Sequence, residues 1–137
     1  MIYNFVELLR SQFPAEVIYP NSRENVPPAE EIPDRNVLVK QSGGPTKWPL
    51  KYTRATVQII TRDIDTPGAE QLSWDIYHFL HGRPGLIIPA ALNVKGRNYP
   101  ALQTASIEAV QMPMNIGVDD AGRTEFSTNY IVTYVET

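Results

Sequence analysis

Tyr52–Gly82, YTRATVQIITRDIDTPGAEQLSWDIYHFLHG, changes its apolar period partway along, and the change decides the fold class. In the first part apolar and polar side chains alternate: Ala55, Val57 and Ile59 take one face, and Arg54, Thr56, Gln58 and Arg62 the other. A two-residue period is that of a half-buried strand. Ile60 interrupts it without destroying it. Beyond Asp65 the period lengthens, and Ala69, Leu72, Ser73, Ile76 and Leu80 form one stripe of an amphipathic helix. Asp65 or Thr66 is suited to cap that helix, Pro67 fits its first turn, and Glu70 complements its dipole. Gly82 and Pro84 close it.

Toward the N terminus, Ile2, Phe5, Val6, Leu9 and Phe13 recur every three or four residues, with Glu7, Arg10 and Gln12 facing away. This spacing predicts a second short helix, ended by Pro14 because the residue before a proline is pushed out of the helical region. Val17-Ile18-Tyr19 reads as a brief strand closed by Pro20, and Asn36–Gln41 as another. Between them, residues 21–35 (NSRENVPPAEEIPDR) carry three prolines, six charges and only two large aliphatic residues. They have too little apolar surface to fold on themselves and predict an extended arm or loop, long for a connection within one domain. Residues 42–51 (SGGPTKWPLK) form a second irregular stretch, in which Trp48 lies between Lys47 and Pro49.

Toward the C terminus, Leu86-Ile87-Ile88 predicts a short strand, and Leu92–Tyr99 a hairpin around Lys95-Gly96-Arg97-Asn98. Ala101–Met112 predicts a long strand with Ala105, Ile107 and Ala109 inward. MPMNIGVDDAGR (112–123) predicts a broad turn with Asp120-Ala121-Gly122 at its tip. Thr124–Glu136 then pairs back antiparallel, with Tyr130, Val132 and Tyr134 on one face. The whole is one α+β domain spanning 1–137. It has a mainly antiparallel mixed sheet, two short amphipathic helices on one face, and long projecting loops.

Composition narrows the function. A chain of 137 residues that is 42% hydrophobic and 20% charged has the makings of a folded core rather than a disordered tail. A net charge of -3 counts against a sequence-independent grip on nucleic acid. The absence of cysteine removes disulfide scaffolds, thiol nucleophiles and cysteine-bound metal sites. No apolar run approaches the ~20 residues needed to cross a bilayer. The opening Met1-Ile2-Tyr3-Asn4 has no basic region and no uninterrupted apolar stretch, so no secretory leader is expected. Twelve prolines are well above the ~5% average, and they punctuate the periodic segments.

The candidate chemistry has plainer readings. His78 and His81 lie three apart on a helix with Phe79 and Leu80 between them, unlike the four-residue His-Glu-x-x-His spacing of zinc helices. They read as exposed helix-end histidines favoured by the C-terminal dipole. Asp63 and Asp65 stand between a strand and a helix, where phosphoryl-transfer enzymes place carboxylates on Mg²⁺. Without a phosphate loop or a second acidic cluster, capping is the better reading. None of the serines lies in a Gly-x-Ser-x-Gly elbow. Lys40, Lys47, Lys51, Arg54 and Arg62, interleaved with Trp48 and Tyr52, suit a protein contact as well as a nucleic-acid patch. No catalytic residue, metal or cofactor is expected. The arm, the Trp48 loop and Met112-Pro113-Met114 place interface-type residues outside the packed core, as a subunit of an assembly needs.

Several pieces together resemble the tail terminator (tail completion) proteins of long-tailed bacteriophages, some of which go by the name minor capsid protein. These pieces are the helix ending in Phe13-Pro14, the strand YTRATVQIITRDID, the helix TPGAEQLSWDIYHFLHG and the two long closing strands. The most specific is Tyr52–Gly82, where the strand ends in Arg62-Asp63-x-Asp65 and the helix in Leu80-His81-Gly82. The likeness spans nearly the whole chain in layout. It implies a non-enzymatic virion protein of the tail or neck, made in the host cytoplasm without membrane contact. The family role it implies is a hexameric ring on the last disc of the tail tube, which halts tube polymerisation and presents a surface to the head connector. The implied partners are further copies of the chain, the tube protein and the connector or stopper, with DNA only in transit. Interface roles then fall to Arg23, Glu30, Glu31 and Asp34 in the arm, Trp48 and Tyr52 by the second loop, and Met112 and Met114 at the broad turn. The nearest alternative is a head-completion or stopper subunit of the neck. A more distant one is a small Mg²⁺-dependent phosphoryl-transfer enzyme using Asp63 and Asp65.

Overall fold

In a computed structural model, which describes residues 1–22, 32–43 and 52–135, the long closing segment Thr124–Val135 is the spine of the sheet (β10). Its even-numbered residues Tyr130, Val132 and Tyr134 are buried, as their alternation requires. One edge of β10 pairs antiparallel with all of β3 (Tyr52–Asp63), from Thr124 opposite Asp63 to Val135 opposite Tyr52. The sheet continues through β2 (Asn36–Gln41), antiparallel to β3, to β1 (Ile18–Pro20), parallel to β2. The other edge of β10 is shared. β8 (Leu102–Ala109) pairs with its second half, and β9 (Met114–Val118) with its first. The short β4 (Arg83–Pro84) and β5 (Ile87–Ile88) pair with β8. β6 (Ala91–Val94) and β7 (Arg97–Tyr99) form a separate hairpin. A mostly antiparallel mixed sheet with two helices is the α+β class expected.

The helices are α1 (Ile2–Gln12) and α2 (Thr66–Leu80). Phe5 and Leu9 of α1 and Leu72, Ile76 and Leu80 of α2 join one apolar cluster with Val37, Val39, Val57, Ile107, Tyr130 and Val132 of the sheet. The five residues of the predicted stripe on α2 are its buried residues. Gly82, at φ +76, turns the chain out of α2, and the Arg83 guanidinium donates to the Phe79 carbonyl at 2.8 Å.

Four expectations are corrected. Asp65 occupies the N-cap of α2 but makes no side-chain cap bond, and the first turn holds no acidic residue because Glu70 lies beyond it. Instead the Thr66 hydroxyl bonds the Thr124 hydroxyl at 2.7 Å, which ties the helix start to β10. Ala105 is exposed, not inward. The register steps from Thr133 opposite Ser106 to Tyr134 opposite Thr104, so Ala105 is the extra residue of a bulge that shifts the alternation. Residues 112–123 are no simple turn, since they hold β9. On the far side of the sheet, Ile60 is buried against Tyr19 and Leu38, which explains its place in the broken alternation. Residues 23–31 of the expected arm and 44–51 of the second loop lie outside the described residues.

Burial pushes the Tyr130 phenol well above its ordinary pKa, the nearby Thr128 hydroxyl opposing this weakly. Neither buried oxygen has a bonding partner of good geometry. Tyr130→Phe removes a desolvated hydroxyl that returns little in the fold. It is expected to leave stability unchanged or raise it by up to about 1 kcal/mol, as read from the urea midpoint. A loss of more than that would mean the hydroxyl is bonded.

Candidate assembly surfaces

The segment after β8 runs Val110-Gln-Met112-Pro-Met114-Asn-Ile116-Gly-Val118, with an apolar residue at every second position. In a buried strand that alternation would face a core, but here Val110, Met112, Met114, Ile116 and Val118 are all exposed. They make up half of the ten exposed large hydrophobics among the described residues. Asn115 lies opposite Phe126 and Gly117 opposite Glu125, so Ile116 is the extra residue of a bulge in β9. Gly117, at φ +116, adopts a backbone that a side chain would strain. β10 is the strand paired with β9 among the described residues, and β9 presents its outer edge.

The tip that returns β9 to β10 is locked by one carboxylate. Asp119 Oδ1 accepts the backbone N–H of Ala121 at 3.0 Å and that of Arg123 at 2.9 Å. Its Oδ2 accepts Arg123 Nε at 2.9 Å and Arg62 Nη1 at 3.4 Å. Burial opposes ionisation of Asp119, but the bonds from Arg123 and Ala121 outweigh it and hold the carboxyl below its ordinary value. Arg62, on the outer face of β3, is buried beneath this tip. Desolvation, then repulsion from Arg123, lowers its pKa. Arg123 also reaches Asp34 at 3.6 Å, so the last part of the expected arm meets the hairpin tip.

Of the residues expected at interfaces, Met114 is exposed at the start of β9 and Met112 just before it, and Asp34 is bound to the tip at the other end of β9. Tyr52 is exposed but stands at the opposite end of β10, facing Val135. Arg23, Glu30, Glu31 and Trp48 lie outside the described residues. Sequence reading missed Val110, Ile116 and Val118, although their two-residue alternation with the methionines was a visible signal. Pro113 and Gly117 read as turn punctuation and obscured it.

The residues considered for chemistry are engaged structurally. Asp63 Oδ2 accepts Arg35 Nη1 at 3.2 Å, and its Oδ1 accepts the Asp65 N–H at 3.2 Å. Arg35 also bonds Glu16 through Nε and Nη2 and the Gly68 carbonyl at 3.3 Å. Its guanidinium pKa is raised chiefly by Glu16 against the cost of burial, with Asp63 adding to the rise. A side chain at Gly68 would meet Asp65 Oδ2 at 2.8 Å and Asp63 Oδ2 at 2.9 Å, so glycine lets this ion-pair network close over the helix start. His81 Nδ1 accepts the Ala109 N–H at 3.0 Å, and His78 packs against Trp74 and Tyr77. Among the described residues no three His, Cys, Asp or Glu side chains gather as a metal site would need.

No curated protein matches the chain in sequence. The family model described as Bacteriophage tail terminator protein matches residues 28–136, more than three quarters of the chain and including β2, β3, α2 and all the later strands. With that match added to the fold and to its outward apolar strand, the chain belongs to the bacteriophage tail terminator family and is a structural component of a phage tail.

Proposed function

We propose that the protein forms a hexameric ring at the head-proximal end of the tail tube, stops tube polymerisation there, and joins the tail to the head connector. Family membership supports this reading, and the exposed apolar stretch 110–118, which ends in β9, is the observation that carries it from a family name to a surface. A monomer seldom leaves so continuous an apolar stretch uncovered unless a partner covers it. A ring is closed by a heterologous contact repeated around an axis, so each copy must present two different, complementary surfaces. The partners are further copies of the chain, the tube protein and the connector or stopper, with DNA passing through the lumen. The role is structural and uses no cofactor. No described helix is long and apolar enough to cross a membrane.

The test is loss of the protein followed by electron microscopy with immunogold. Particles lacking it are expected to carry tubes of uncontrolled length, and gold on wild-type particles to sit at the head-tail junction and on the upper end of headless tails. Label at the junction but absent from headless tails would favour a head-side stopper. Label elsewhere, with tubes of normal length, would end the tail reading. In the same particles Trp48→Ala is expected to weaken assembly while the isolated protein keeps its melting temperature.

A further inference from the structure

We propose that the ring closes by docking the β6–β7 hairpin of one copy against the β9 edge of the next; the inference rests on the ring reading above. The two surfaces lie on opposite flanks of the sheet. The hairpin tip borders a groove with α1 and the β1 edge, where Val94 and Lys95 stand by Arg10 and Pro20–Ser22. β9 lies on the other side of β10, with β3 and β2 between β10 and β1. Surfaces on opposite flanks are placed for head-to-tail contact between copies.

The hairpin is built to present a fixed shape. The buried Asn4 amide donates to the carbonyls of Pro89 at 3.1 Å, Tyr99 at 3.2 Å and Pro100 at 2.9 Å, which clamps both ends of the hairpin to α1. At the other end Lys95 and Gly96 have φ of 50 and 80, the positive pair of a two-residue turn. Leu92, 70% exposed, is the most exposed large hydrophobic side chain of the described residues. The same hairpin carries Lys95 and Arg97, which have no ion-pair partner among the described residues.

The β9 surface is the complement. Val110–Val118 carries no charge, and Glu108 and Asp120 flank it, again without ion-pair partners among the described residues. A basic hairpin tip with a leucine beside it matches an apolar strand bounded by acids in both character and sign. One alternative fits worse. The opposite edge of the sheet is closed: Arg10 Nη2 donates to the Ile18 carbonyl at 2.8 Å, and Pro20 ends β1 without an N–H.

The chain has no cysteine, so introduced thiols report unambiguously. Leu92→Cys combined with Met114→Cys, mildly oxidised after assembly on purified tube ends, is expected to give a ladder of covalent multimers on a non-reducing gel. Arg97→Glu or Asp120→Arg alone is expected to lower assembly at least tenfold, and the two together to restore most of it, with the melting curve of each variant unchanged. Wild-type rings with no cross-link in the double-cysteine protein, or no rescue in the charge swap, overturn this docking while leaving the ring intact. Abundant dimers from Met114→Cys alone also overturn it, in favour of paired β9 edges. A wild-type protein that neither oligomerises nor caps tubes removes the ring reading itself.

Discussion

Asp119→Ala is expected to lower the unfolding free energy by about 2 kcal/mol, within the range for hydrogen bonds to a charged group. The carboxylate holds two backbone N–H groups of the β9–β10 tip and the guanidinium groups of Arg62 and Arg123. Without it, Arg62 remains buried beside Arg123, two like charges with their nearest carboxylate gone. Urea unfolding measures the loss. Asp119→Asn keeps an accepting oxygen but no charge and should recover only part. The effect has a definite pH sign. Because the folded carboxyl is held below its ordinary value, its stabilisation is fully present above about pH 4 and is lost as pH falls through the depressed folded value. The gap between wild type and Asp119→Ala should therefore shrink below about pH 4. A gap that stays constant on acidification would show that the charge of Asp119 does not hold the tip. The same substitution loosens the proposed docking strand, so assembly should suffer although Asp119 itself need not touch the neighbour.

Phe5→Ala is expected to cost about 3–5 kcal/mol, the range for emptying a buried aromatic site. Phe5 is fully buried on α1, in the cluster shared by both helices and the sheet, and its neighbour Asn4 clamps the β6–β7 hairpin. Against a typical domain stability of about 5–15 kcal/mol this loss is a large fraction. It should lower the melting temperature by roughly 10–20 °C, measured by circular dichroism. Phe5→Leu, which keeps more of the volume, should cost less than half as much. If Phe5→Ala melts within a few degrees of wild type, α1 is not part of the cooperative core.

The sequence alone determined what depends on neighbours along the chain. The alternation in Tyr52–Arg62 and the stripe from Ala69 to Leu80 defined β3 and the buried face of α2, because side-chain direction repeats with backbone period. Gly82 marked the helix end, Lys95-Gly96-Arg97-Asn98 a hairpin whose turn the structure narrows to Lys95-Gly96, and the even residues from Tyr130 to Tyr134 the inner face of β10. The layout of these pieces was enough to suggest the family. Met112 and Met114 were singled out correctly as exposed, but not as parts of one strand-borne surface.

Tertiary structure decided whatever depends on residues distant in the chain. Ala105 turned outward because a bulge across from Tyr134 shifted its register, and bulges are properties of a pair of strands. Arg62 reads as a solvent-facing residue of an alternating strand, yet it is buried because Asp119 and Arg123, far along the chain, fold over it. Asp63 reads as a cap or metal ligand, but Arg35 and the absence of a side chain at Gly68 draw it into an ion-pair network. β1 became a closed edge through Arg10, whereas β9 has no second strand partner among the described residues. A period states which way a side chain points. Whether anything lies there to bury it, pair it or leave it for a partner is settled by the whole fold.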